Sequence, residues 1–204
     1  IKVILDLDDA IHDPNIYRQS AVFDLLNPLE KKLHLNMSER IRNTLAICDS
    51  VTVSTQTLAD QIIFRKKPVF VIPNRVSSNM LNALSPSIDE TPYQTLGFMS
   101  GSETHHRDLN SISESLHTVF QEFPSMKLIL AGPVPLPDQL RNFSDRIQYL
   151  PFKSWPEHLN YYRKVNLVIC PLEAENPFCM AKSGVKYLEA GLSSVPCIAT
   201  PTSD

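Results

Sequence analysis

Thr95-Leu96-Gly97-Phe98-Met99-Ser100-Gly101-Ser102-Glu103-Thr104-His105-His106-Arg107-Asp108-Leu109 decides how this chain is read. An apolar run of strand length passes through small polar residues into a segment with helical spacing. Thr95 to Met99 predicts a strand. Asp108 to Phe123 predicts a helix with Leu109, Ile112, Leu116, Val119 and Phe120 on one face. The same unit repeats outward. Downstream, strands are expected at Lys127–Ala131, Ile147–Leu150, Leu167–Cys170 and Val195–Ala199, with helices at Trp155–Lys164 and Ser183–Gly191 between them. Upstream, Val3–Leu5, Val51–Val53 and Val69–Ile72 read as strands. Asn15–Lys32, Ser38–Cys48 (Ser38 as cap) and Thr55–Phe64 (Ser54 or Thr55 as cap) read as helices. The stretch from Ser77 to Pro92 has no period and reads as a connection. Strand–helix alternation with nearly continuous apolar strands predicts an α/β fold of doubly wound, Rossmann-like parallel sheets covered on both faces.

All five glycines lie at or after Gly97. This shift divides the chain into an end piece of one Rossmann-like domain (1–76), a connection (77–92) and a second, incomplete nucleotide-binding domain (93–204). With 43% hydrophobic residues, 20% charged residues and a net charge of -3, the chain has globular composition. Nothing in that balance points to nucleic acid as a partner. Cys48, Cys170, Cys179 and Cys197 form no Cys-x-x-Cys pair and read as free buried thiols, with no zinc site. No apolar run approaches the ~20 residues that span a bilayer. The expected location is cytoplasmic, or peripheral at the membrane. The chain opens in a strand without an initiator Met, as a piece cut from something longer.

In doubly wound sheets, ligands bind outside the carboxyl ends of the strands. That selects the loops after Met99, Ala131, Leu150, Cys170 and Ala199. In Ser100–Asp108, small residues leave backbone N–H groups accessible at a helix start, and Arg107 adds a positive charge. The alternative is a polar loop with Asp108 as the helix cap. His105 and His106 are neighbours on a loop, which seldom converge on one metal ion. In the second segment, Lys182, Lys186 and Glu189 lie near the start of the Ser183 helix, with both lysines on one flank. That pattern suits a pyrophosphate beside a ribose, and it equally suits a solvated helix face. A third cluster, Asp6-Leu7-Asp8-Asp9, suits Mg²⁺ or phosphate, or else a strand end that caps a helix.

Together these segments resemble the family-four group of retaining GT-B glycosyltransferases. The resemblance rests on order and spacing. Its first half is carried by Asp49-Ser50-Val51-Thr52-Val53-Ser54-Thr55 with Leu58-Ala59, and by Val71-Ile72-Pro73-Asn74. Its second half is carried by Gly97-Phe98 with Gly101, Leu128-Ile129-Leu130-Ala131-Gly132, Ile147–Phe152 with Trp155, and Leu188-Glu189-Ala190 with Val195-Pro196. It implies transfer of a sugar, with retention, from a nucleotide-diphosphate sugar to a glycan, lipid or protein acceptor, with no further cofactor or metal required. It assigns catalytic stabilisation of the leaving diphosphate to Arg107, Lys182 and Lys186, with Glu189 on the ribose. Gly101, Ser102, Thr104, Ser183 and Gly184 join in donor binding, and Phe152 lies along the base. The chain departs from the family at two positions. Ala181 stands where the first of two glutamates is usual, and Ser102 where an arginine is often found. These departures suit a non-catalytic nucleotide-sugar-binding module. Further alternatives are a GT-B-fold sugar-nucleotide epimerase, and a phosphoacceptor domain centred on Asp8.

Overall fold

The computed structural model of the chain describes residues 1–62, 67–84, 94–155 and 157–202. In order, its elements begin with β1 (Ile4–Leu7), α1 (Pro14–Tyr17), α2 (Val22–Leu25), α3 (Pro28–Ile47), β2 (Ser50–Val53), α4 (Gln56–Gln61), β3 (Val69–Val71) and α5 (Ser78–Ala83). They continue with β4 (Thr95–Met99), α6 (His106–Ser111), α7 (Ser113–Glu122), β5 (Lys127–Ala131), β6 (Ile147–Leu150), α8 (Leu159–Tyr162), β7 (Leu167–Cys170), α9 (Pro177–Met180), α10 (Val185–Leu192) and β8 (Cys197–Ala199). Short 3₁₀ segments occupy Glu103–His105 and Asp138–Arg146. Two units result. One holds Ile1–Asn74, Glu173–Gly184 and Pro201–Asp204, the other Arg75–Leu172 and Val185–Thr200.

The first unit is built on a parallel sheet of order β1-β2-β3. Side chains alternate across a strand, so each register row belongs to one face. The rows Leu5–Val51–Val69 and Leu7–Val53–Val71 face a core with Tyr17, Phe23, Leu45 and Leu58. The intervening row Asp6–Thr52–Phe70, together with Ile4, faces outward, with Phe70 54% and Ile4 61% exposed. Burial of both faces, as expected from the apolar strands, therefore fails here among the described residues. Phe178 and Ala181 of the Glu173–Gly184 segment complete this core. Hydrogen bonds anchor that segment: Thr55 Oγ1 donates to the Ala181 carbonyl (2.9 Å), Gln61 Nε2 to the Pro177 carbonyl (2.9 Å), Asn176 Nδ2 to the Gln19 carbonyl (2.9 Å) and Asn74 Nδ2 to Ser183 Oγ (2.7 Å).

Several helix boundaries differ from those expected. The residues assigned to two helices, 15–32 and 38–48, form two short turns and then one 20-residue helix, α3. Its start is set by Asn27, which accepts from the Leu29 and Glu30 N–H groups while Glu30 accepts from the Asn27 N–H. Ser38 is mid-helix and fully buried, not a cap. Thr55 caps α4 through the Leu58 N–H, and the helix ends at Gln61; residues 63 and 64 of the expected helix lie outside the described residues. The stretch read as a connection contains α5, capped by Ser77, while 85–92 lie outside the described residues.

The second unit is a five-stranded parallel sheet of order β6-β5-β4-β7-β8. Its central strand β4 is buried at every residue. Alternation sends Leu96, Phe98, Leu128 and Leu130 to one face, with Leu109, Leu116 and Phe120 of α6 and α7. It sends Met99, Ile129 and Ala131 to the other, with Tyr161, Tyr162, Val165 and Ala190. This sheet is thus covered on both faces. The expected Asp108–Phe123 helix is broken at Ile112 (φ -110, ψ 7), where the Ser111 hydroxyl bonds back to the Asp108 carbonyl (2.7 Å) and competes with the helical ladder. Asp108 is inside α6, buried, and not its cap. Of the helix expected at 155–164, the described residues form a regular helix over Leu159–Tyr162, flanked by turns whose bonds reach three residues back, from Asn160 to Glu157 and from Lys164 to Tyr161. Residue 156 lies outside the described residues. All four cysteines are free, with the Cys170 and Cys197 sulfurs 3.5 Å apart on neighbouring strands. No described helix is long and apolar enough to cross a membrane.

Candidate functional site

In the second unit the chain runs from β4 outward through β5 to β6, then crosses to β7 on the other side of β4. The direction of winding reverses between β4 and β7. In open α/β sheets such a switch point is where ligands bind, outside the carboxyl ends of the strands. The Ser100–Arg107 turn follows β4, and α10 packs against β7 and β8.

The turn is held by its own hydroxyls. Ser100, fully buried, donates from Oγ to the Ser102 carbonyl (2.6 Å), and the Ser102 and Thr104 hydroxyls are joined at 2.6 Å. Gly132, at the end of β5, packs on Ser100. Its φ is +95, and a Cβ there would lie 2.0 Å from the Ser100 carbonyl oxygen, so only glycine fits. At Gly101, by contrast, a Cβ would meet nothing within 4 Å. The tight backbone approach is made at Gly132.

The two histidines diverge. His106 Nδ1 bonds the Glu103 carbonyl (3.0 Å). His105 Nδ1 lies 2.8 Å from Asp108 Oδ2 and 3.4 Å from Lys186 Nζ. One ring nitrogen cannot donate to the carboxylate and accept from the ammonium at once. The shorter contact places the proton toward Asp108, with Lys186 in electrostatic contact. Lys186 also lies over the Phe98 ring, 5.4 Å from its centroid. Arg107 is half-buried on α6. The structure therefore brings Lys186 of α10 to the turn that carries Ser102 and Thr104 and leads into Arg107 on α6.

Glu189, one helical turn after Lys186, is 8% exposed. Tyr162 donates to its Oε2 at 2.6 Å. Burial pushes the Glu189 carboxyl up from its ordinary value, against the opposing effects of the Tyr162 hydroxyl and the Lys186 charge. His158 is held below its ordinary value by burial and by Lys186. Phe152 is exposed after β6, two strand spacings or about 10 Å across the sheet from β4.

Lys182, Ser183 and Gly184 belong to the first unit. The Lys182 N–H closes α9 on the Cys179 carbonyl, and α10 begins only at Val185, so Lys182 and Lys186 do not share a helical flank. The Lys182 ammonium lies 5.6 Å from the Phe178 ring centroid. Burial raises the Asp9 carboxyl, Lys182 lowers it, and Asp8 raises it further. Asn74 Nδ2 donates to Ser183 Oγ (2.7 Å) and Asp8 Oδ1 (3.1 Å), while Thr52 Oγ1 donates to Asp6. The carboxylates of the Asp6-Leu7-Asp8-Asp9 cluster thus turn to separate partners. Sequence reasoning missed Tyr162, His158 and Asn74, and gave Asp108 only a capping role. Tyr161-Tyr162 carries no periodic signal that marks one ring as polar-partnered, whereas Asn74 is a polar residue directly after the Val69–Ile72 run and Pro73.

No family model matches the chain, and no curated protein matches it in sequence. Among solved structures, it is similar to the sucrose-phosphate synthase of Thermosynechococcus elongatus, with TM-score 0.59 and 15% identity over 98% of this chain and 50% of that one. It is similar to the pneumococcal O-GlcNAc transferase GtfA, solved with UDP and GlcNAc, with TM-score 0.56 and 17% identity over 83% and 33%. It is also similar to TarM, with TM-score 0.56 and 16% identity over 82% and 33%. The chain therefore spans a third to a half of the length of these structures. Over that part, with two parallel sheets flanked by helices, it has the mixed α/β fold of the GT-B glycosyltransferases.

Proposed function

We propose that this chain is part of a retaining, family-four-like glycosyltransferase, and that its second unit binds the nucleotide-diphosphate sugar. Residues 1–76 then derive from the acceptor-side domain and 93–204 from the donor domain, joined through 77–92. One observation carries the reading: Lys186 is 3.4 Å from His105 beside the winding reversal, so a cation-bearing helix meets a hydroxyl-rich turn there. Lys186 and Arg107 offset the charge that develops on the leaving diphosphate. The Ser102–Thr104 hydroxyl pair, which has one proton left to give, and the backbone beside Gly101 donate to its oxygens, as fixed dipoles do where charge develops. Glu189 accepts from the ribose hydroxyls, and Phe152 lies along the base. The similar TarM and GtfA have been solved in complex with UDP, which makes it the first nucleotide to test. Titration calorimetry with UDP on this chain is expected to show binding that Glu189→Ala weakens by about 1–3 kcal/mol. Unchanged affinity removes Glu189 from the ribose.

A second reading, a nucleotide-sugar-binding module without turnover, is favoured by Ala181. The family's first glutamate belongs at this position, yet Ala181 is fully buried in the first unit's core with its carbonyl taken by Thr55. A carboxylate does not fit there without opening that core. Donor binding with neither transfer nor donor hydrolysis selects this reading.

A further inference from the structure

Tyr162 is fully buried and donates its hydroxyl to Glu189 at 2.6 Å. A tyrosine serving only as core filler needs some partner for its hydroxyl, and a backbone carbonyl suffices; the neighbouring Tyr161 uses that of Pro151 (3.1 Å). Tyr162 instead takes the carboxylate of the residue assigned to the ribose. A charge-assisted O–H···O⁻ bond of this length is among the stronger and more directional contacts in proteins. We propose that Tyr162 is a positioning residue for the donor site: its hydroxyl holds Oε2 of Glu189, so that the other oxygen is presented, ionised, to the vicinal hydroxyls of a nucleotide's ribose. The inference rests on the donor-site reading above.

The surroundings explain why Glu189 needs such a partner. Its carboxylate is nearly buried, which favours the protonated form, and a protonated carboxyl accepts poorly. Lys186, on the same helix, opposes protonation, and so does the Tyr162 hydroxyl. The other titratable groups that face this pair are Cys170 of β7, Cys197 of β8 beside Tyr162, and His158. His158 packs edge-on against the Tyr162 ring (centroids 5.9 Å, 85°) and faces Lys186. Without the hydroxyl, Glu189 both gains rotational freedom and takes up a proton at higher pH.

Tyr162→Phe keeps the buried ring and removes one oxygen. On the 204-residue chain, the Glu189 carboxyl is followed by ¹³C NMR without nucleotide, and UDP affinity by calorimetry between pH 5 and 8. In Tyr162→Phe, Glu189 is expected to titrate at higher pH. UDP affinity is expected to drop about fivefold or more near pH 6 and to recover toward wild type at pH 8. An unmoved Glu189 titration, or an equal loss of UDP affinity at every pH, overturns the proposal. Glu189→Gln leaves Tyr162 intact and serves if the first variant does not fold. It is expected to remove from UDP binding the pH dependence that wild type shows beyond UDP's own titration, and a wild-type profile overturns the proposal equally. If the wild-type chain takes no UDP, the donor-site reading fails, and the nucleotide-free titration still decides whether Tyr162 sets the state of Glu189.

Discussion

Gly132 and Gly101 are both strand-end glycines, and their environments differ completely. At Gly132 the backbone is left-handed and the Ser100 carbonyl lies where a Cβ would go. Gly132→Ala combines positive-φ strain with overpacking against backbone. It is expected to destabilise the second unit by about 2–4 kcal/mol in chemical denaturation. Gly101→Ala meets no atom of the chain, so its effect on stability is small by comparison. A sequence reading sees two glycines after apolar runs and cannot separate them, because φ and the neighbouring strand's carbonyl are properties of the packed sheet. Tyr162 is the same kind of case. The helix around it is four residues long, too short for periodicity to assign a face, and its partner is 27 residues away.

Strands were the most legible elements, and helix starts the least. Thr95–Met99, Lys127–Ala131, Ile147–Leu150 and Leu167–Cys170 fall where the apolar runs place them. Of these, β4, β5 and β7 are buried through most of their length and need continuous apolar composition, whereas the edge strand β6 is only partly covered and keeps Gln148 and Tyr149 exposed. Helix starts depend on which of several possible cap residues is used. Asn27-Pro28-Leu29-Glu30 carries the full capping-box chemistry and Ser38 does not, yet both are polar residues ahead of an apolar pattern. The two positions give opposite tests. Asn27→Ala is expected to destabilise the chain by about 0.5–2 kcal/mol, measured as a shift in urea midpoint. Ser38→Ala removes a buried hydroxyl without a partner and improves helix propensity, so it is expected to be neutral or stabilising by up to about 1 kcal/mol. A loss at Ser38 comparable to that at Asn27 contradicts the observed α3.

At the scale of the molecule, the chain passes repeatedly between its two units, and burial sets its response to acid. His12 is buried, its Nε2 facing the Gln61 carbonyl at 3.4 Å and its Nδ1 unpartnered. Burial holds it below its ordinary value; the Gln61 bond and Asp13 oppose this, and Arg42 adds to it. The unfolded chain therefore binds a proton first as pH falls through about 6.5, and folding stability drops below that point by at most about 1.4 kcal/mol per pH unit for this group. His158 acts in the same direction. Asp9 and Glu189, raised in the folded state, act oppositely at lower pH, because their protonation relieves a buried charge. Urea midpoints between pH 7 and 5 are expected to decline less in His12→Gln than in wild type. Parallel declines would remove His12 as a source of acid sensitivity.

The amino-acid sequence by itself determined that parallel strands alternate with helices, and that polar, ligand-suited loops follow the strands of the second half. Both follow from local period and composition, which a short window contains. Only the tertiary structure decided the order β6-β5-β4-β7-β8 and hence which two loops flank the reversal. It alone decided that Lys186 meets His105 across 81 residues, that Glu189 is held by Tyr162, and that Glu173–Gly184 fills the core of the first unit. Those outcomes depend on which apolar faces bury one another, a choice made among distant segments that no local pattern records.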